Sequence, residues 1–166
     1  SDLTHLIITS QTGCLNQTDQ HPVVNIFQAG PSFLESDVDE QLLIHIPFNQ
    51  PVKLHSMRIL SGPGVNDQGR APKTIKLFAN RPNLGFDEVD SVHETQLIEL
   101  TEEDYESDNL INLRYVRFQN VAHLVVFIQD NLEDEDTTAL SRIVFYGKRT
   151  NAESTQAQDN MVPRAQ

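Results

Sequence analysis

Apolar and polar residues alternate along much of this chain with a period of two. In Thr74-Ile75-Lys76-Leu77-Phe78-Ala79, residues Ile75, Leu77 and Ala79 fall on one side, and Thr74 and Lys76 on the other. Val52 and Leu54 likewise oppose Lys53 and His55. Such alternation predicts strands with one dry and one wet face. Short segments rich in β-branched and aromatic residues, bounded by Pro, Gly, Asn or Asp, predict strands at 6–8, 23–27, 42–48, 52–60, 74–79, 96–100, 113–118, 124–128 and 142–146. Along 52–60 the phase shifts near Ser56, because Met57 and Ile59 have the opposite parity to Val52 and Leu54. A β-bulge there reconciles the two halves. Segments 61–69 and 80–86 read as loops. One short helix is expected around Thr101-Glu102-Glu103-Asp104-Tyr105, with Thr101 as N-cap.

Many short strands without βαβ spacing imply an all-β fold, two antiparallel sheets packed as a sandwich or jelly roll. The length suits one domain that buries about 70% of its unfolded surface. Residues 1–148 are expected to form it, with 149–166 a solvated, disordered tail poor in apolar residues. No apolar run approaches the roughly 18 residues that span a bilayer, and no secretion signal is apparent at the start.

Charge narrows the partners. Twenty-four acids against 12 Lys and Arg give a formal charge of −12, which disfavours nucleic acid and anionic membranes and points to a protein partner. Cys14 is the one cysteine, so no internal disulfide or CxxC pair exists, in keeping with a reducing compartment. Asn16-Gln17-Thr18 reads as an ordinary turn.

Signals for chemistry are weak. HExxH, GxSxG, P-loop and GxGxxG patterns are absent. His45 lies between Ile44 and Ile46 with opposite parity, as expected of a wet-face or hydrogen-bonded histidine rather than a ligand. The acidic clusters at 35–40, 102–108 and 130–136 lack the EF-hand spacing and read as solvated loops. Cys14 has no basic neighbour in sequence and reads as a structural thiol. No metal or cofactor is expected, and no enzyme. The scarce bases Lys53, His55 and Arg58, then Arg70, Lys73, Lys76 and Arg81, then Arg114 and Arg117, would form a basic face if their strands were neighbours. Scattered counter-charges are the favoured alternative. In Leu84-Gly85-Phe86 the apolar side chains either fold back on the core, the favoured reading, or anchor a partner.

Six collinear blocks carry a resemblance: residues 13–16, 33–44, 49–54, 72–78, 113–121 and 137–147. Together they resemble the PITH domain, the proteasome-interacting module of thioredoxin-like proteins, and the likeness thins after Gly147. The resemblance implies a jelly-roll β-sandwich like the DOC domain of a ubiquitin ligase and like galactose-binding domains. It also implies docking on the regulatory particle of the 26S proteasome, in cytoplasm and nucleus, and descent from the branch carrying a thioredoxin domain. The contact residues expected are Arg81, Phe86, Arg114 and Arg117, on a monomer. The rival reading from another class is a carbohydrate- or small-ligand-binding jelly roll. A hydrolase using the acidic loops is a third.

Overall fold

One strand passes through both layers of the molecule. The computed structural model describes residues 1–107 and 110–150. Within them β3 (Leu42–Leu60) is 19 residues long. Its first half pairs antiparallel with β1 (Gly13–Leu15) and β7 (Val121–Ile128), from Leu42↔Ile128 to Pro47↔His123. Its second half pairs with β9 (Arg142–Arg149), from Val52↔Arg149 to Leu60↔Arg142, and with β6 (Ile111–Asn112). The sequence reading splits this strand in two at Asn49-Gln50-Pro51. The backbone instead stays extended there, because proline's fixed φ suits a strand and its missing N–H falls where the pairing register breaks, between Pro47 and Val52.

β4 (Thr74–Ala79) lies beyond β7, and β5 (Gln96–Glu99) forms the edge, so the front layer runs β1–β3–β7–β4–β5. The back layer is β6–β3–β9. A small ribbon of β2 (Leu34–Glu35) and β8 (Ala139–Leu140) closes one rim. Between the layers, Ile44, Ile46, Leu77 and Val126 meet Leu54, Met57, Ile143 and Phe145, all fully buried in one core. Each such side chain contributes about 1.5–3 kcal/mol relative to exposure.

Three expected strands are wrong in kind. Of 6–8, Leu6 ends a 3-10 turn over Thr4–Leu6 and Ile7 makes an isolated bridge to Phe48; Val23–Phe27 and, within 113–118, Tyr115–Arg117 are 3-10 turns. In the second, Val23, Ile26 and Phe27 all point inward, a spacing of three to four that suits a turn better than a strand. In the third, Arg114, Tyr115, Val116 and Arg117 are all exposed between buried Leu113 and Phe118. Among the described residues no neighbouring strand is available to take them.

The wet face of the front layer is also drier than alternation predicts. Leu43, Val125, Phe127 and Phe78 point away from the main core, yet Leu84 and Val89 cover them with Phe86 and Val92 in support. Residues 80–92 thus form a strap across the sheet. The predicted helix is present as α1 (Glu102–Glu106), its first turn closed by the Asp104 carboxylate accepting from the Thr101 amide and hydroxyl at 2.8 and 3.1 Å. The expected tail at 149–166 begins inside the last strand, at Arg149. Its residues 151–166 lie outside the described residues.

The predicted bulge sits at His55. Leu54 pairs with Gly147 and Ser56 with Tyr146, so His55 has no residue opposite it. The two backbones approach so closely that a Cβ on Gly147 would stand 1.8 Å from the Lys53 carbonyl oxygen. Gly147→Ala is therefore expected to lower the free energy of unfolding by about 2–4 kcal/mol. Gly13→Ala, where a Cβ meets nothing within 4 Å, should change it by less than about 0.5 kcal/mol. Urea midpoints of the two variants check this.

Candidate partner-binding surface

The bulge frees β3 backbone groups from β9, and a neighbouring loop takes them. The Leu54 amide donates to the Phe118 carbonyl and the Leu113 amide to the His55 carbonyl, both at 2.9 Å. These bonds pin the two ends of an arch over residues 113–118. Leu113 and Phe118 are its buried feet, and Arg114, Tyr115, Val116 and Arg117 its exposed crown. Val116 is 82% exposed, a poor use of an apolar residue unless something covers it.

The arch leans on the start of β5 and the residue before it. The Arg114 amide donates to Gln96 Oε1 at 2.8 Å, and Arg117 Nη1 donates to the Thr95 carbonyl at 3.1 Å. Asn80, in the left-handed region at φ 60°, opens the strap. Its Nδ2 donates to the Asn120 carbonyl at 3.0 Å, while its Oδ1 accepts from the amides of Ala122 and His123 at 2.9 and 3.2 Å. Asparagine tolerates that backbone conformation because its short amide bonds locally. Arg81 follows immediately. Arg81 lines a hollow with Pro82, Leu84 and Glu88, whereas Arg114 and Arg117 lie elsewhere, with Leu97, 47% exposed, beside them. A hollow of about 310 Å³ there is lined by His93, Glu94, Leu97, Arg114 and Arg117.

Phe86 lies apart from the three arginines. It is half-buried on the outer face of the sheet, its ring edge-on to Phe127 at 6.1 Å and 73°. That geometry matches the fold-back expectation.

A continuous basic face does not form, because β4 pairs with β7 and β5 while the 52–60 half of β3 pairs with β9 and β6. Arg70 bonds the Glu35 carboxylate and the Thr137 hydroxyl, and Lys76 lies 3.9 Å from Asp90. These are the expected counter-charges. Arg81, Arg114 and Arg117 differ, since among the described residues no carboxylate comes within ion-pair distance of them. They stand in a mosaic, because the strap carries Asp87, Glu88 and Asp90 nearby.

Two of the acidic clusters meet elsewhere. Asp37, Asp39 and Glu40 face Asp130, Asp134, Glu135 and Asp136 across a hollow of about 500 Å³. Buried Asn131 organises the second loop by donating to the Glu135 and Thr137 carbonyls and accepting from the Glu135 amide. Among the described residues no three Asp, Glu, His or Cys side chains converge as a metal site. Nearby negative charge, Asp67 foremost, pushes the exposed Glu135 carboxyl up.

The three tyrosines offer little platform for a sugar. Tyr105 is half-buried, its hydroxyl donating to the Pro72 carbonyl at 2.5 Å, and Tyr146 is covered by Arg58, 5.9 Å from its centroid. Tyr115, on the arch, is 39% exposed.

One constellation escapes sequence reasoning. His45 and His123 are 78 residues apart, and their ring nitrogens Nδ1 and Nε2 meet at 2.8 Å. His45 Nε2 lies 2.8 Å from the Leu84 carbonyl. Strand parity places each ring on the outer face, but only the antiparallel register makes them neighbours.

Cys14 is half-buried, and desolvation pushes its thiol up to about 12. Its thiolate is therefore scarce at neutral pH. The native chain should label with iodoacetamide at pH 7.5 at least tenfold more slowly than the urea-unfolded chain, as read by intact mass.

Comparison with known proteins places the chain. A family model described as PITH domain matches residues 1–164, so the likeness reaches past Gly147 into the segment read as a tail. Thioredoxin-like protein 1 of Schizosaccharomyces pombe is 47% identical over 141 residues, covering 83% of this chain and 48% of that protein. PITH domain-containing protein 1 of Dictyostelium discoideum is 30% identical over 90% of this chain and 74% of its own length. The chain thus spans about half the length of the S. pombe relative. Among solved structures, a family 32 carbohydrate-binding module from Clostridium perfringens, in complex with GalNAc-β-1,3-galactose, superposes with a TM-score of 0.65 at 7% identity, covering 89% of this chain and all of that one. Another module of that family from the same organism gives 0.56 at 15% identity over 88% and 97%. At such identities the likeness is one of fold, the galactose-binding jelly roll.

Proposed function

The chain belongs to the PITH domain family, and on that footing we propose that it is a protein–protein docking module for the regulatory particle of the 26S proteasome. It tethers there a thioredoxin domain carried elsewhere in a longer protein, in cytoplasm and nucleus, and acts as a monomer. The observation that carries the reading is the arch. Among the described residues, Arg114 and Arg117 stand exposed without an acidic partner, in a chain with twice as many acids as bases, beside exposed Val116 and Leu97. Arginine with adjacent apolar surface is the composition that supplies binding energy at protein interfaces. Arg81 and the uncovered edge of Phe86 are further candidate contacts outside this patch. Any disulfide reduction belongs to the thioredoxin domain. Docking raises that domain's local concentration at the proteasome to the millimolar range typical of a short tether.

A sugar-binding reading finds no support in the tyrosines, two of which are occupied by their own chain. The expected result is co-migration of the purified domain with purified 26S proteasome on a native gel at physiological salt. Arg114→Glu with Arg117→Glu should weaken it by roughly 30-fold or more, the size of about 2 kcal/mol at an interface hot spot. Clean separation of the unaltered domain would overturn the proposal.

A further inference from the structure

The paired histidines under the strap belong to no contact set, and their hydrogen-bond roles follow from geometry. A carbonyl oxygen only accepts, so His45 Nε2 carries a proton and donates to the Leu84 carbonyl at 2.8 Å. In the neutral ring His45 Nδ1 then has a lone pair, and His123 Nε2–H donates to it at 2.8 Å. A first added proton fits on the free His123 Nδ1 without disturbing either bond. A second, taken from solvent onto His45 Nδ1, sets two N–H groups and two positive rings against each other. The 2.8 Å contact cannot survive that.

What the pair holds is the strap. Asn80 ties the strap's start to the 120–123 stretch through bonds indifferent to pH over the histidine range. Its middle is held by the Leu84 carbonyl on His45 and by Leu84 and Val89 on Phe78, Val125 and Phe127. The remaining charged or titratable groups on the packed elements are Lys76 on β4, paired with Asp90, and Arg81, Asp87, Glu88, His93 and Glu94 on or just past the strap. Among the described residues, no carboxylate lies within ion-pair distance of either imidazole to stabilise two charges.

We propose that His45 and His123 form a pH-sensitive latch, closed while the pair holds at most one added proton; the second drives the two rings apart, carries the His45 Nε2–H away from the Leu84 carbonyl and so frees the 84–92 part of the strap from the sheet. Desolvation first, and His45 second, hold the His123 imidazole below its usual value. The sign is consistent. For His123, depressed in the fold, the contributed stability is present above the unfolded value of about 6.5 and is lost as pH falls from there toward the folded value; this is the first proton, and the latch opens below it, with the second. An open latch would loosen Phe86 and leave Arg81 on its Asn80 anchor. That last consequence rests on the docking reading, whereas the latch itself does not.

Amide and imidazole NMR spectra of the 1–166 chain between pH 7.5 and 5.0 test the latch. The expected result is loss of the dispersed Leu84–Val92 amide signals at the acid end, in step with the second of the pair's two ring-protonation shifts, while β9 amides stay put. His123→Gln keeps a donor toward His45 Nδ1 but takes up no proton, so its strap signals should persist at pH 5.0. Unmoved strap signals in the unaltered chain, or equal loss in the Gln variant, would overturn the latch. A native-gel binding assay at pH 7.5, where the latch is closed, reads docking separately.

Discussion

The close approach of two backbones at Gly147 governs the rest of this structure. Because that residue has no side chain, β9 can press against Lys53 and Leu54, and β3 can carry one residue more than its partner. The extra residue, His55, turns backbone groups of β3 outward, where they are bonded by Leu113 and Phe118. From there the chain of cause runs to the surface. The feet of the arch are buried, its crown is lifted into solvent, and two arginines and a valine are presented together. A bulge used in this way re-aims a segment instead of merely ending a ladder.

The same strand explains the layering. β3 keeps its extended backbone past Pro51 and leaves one sheet for the other, so front and back layers share a covalent spine and a single core. Loops at the two ends are separated in consequence. The acidic runs at 37–40 and 130–136 collect around one hollow, while the arch meets residues 93–97 beside another. The family relationship says what kind of module this is, and the fold likeness to carbohydrate-binding modules says how its chain is wound. Only the side chains on the loops distinguish the uses of one jelly roll.

Local pattern made some of this legible. Thr74–Ala79 is a strand with the bounds its alternation implies, the change of parity around Ser56 marks a real bulge, and Thr101 caps the short helix. Where the reading failed, the deciding interaction lay far away in sequence. Val23–Phe27 and Tyr115–Arg117 have strand-like composition, but among the described residues no neighbouring segment offers them a ladder. Phe78 and Phe127 look solvent-facing until Leu84 and Val89 arrive from the strap. The histidine pair needs the β3–β7 register, which alternation alone does not supply. Of the candidate contacts, Arg114 and Arg117 are brought together, Arg81 lines a separate hollow, and Phe86 is turned mostly toward its own sheet.

The central claim is that the bulge-supported arch is the surface that meets the partner. Hydrogen exchange of the chain, free and bound to purified 26S proteasome, tests it most directly. The account predicts slowed exchange over 113–118 and 93–97, with the acidic loops at 37–40 and 130–136 unchanged. Protection confined to those acidic loops, with the arch exchanging as fast as in the free chain, would contradict it.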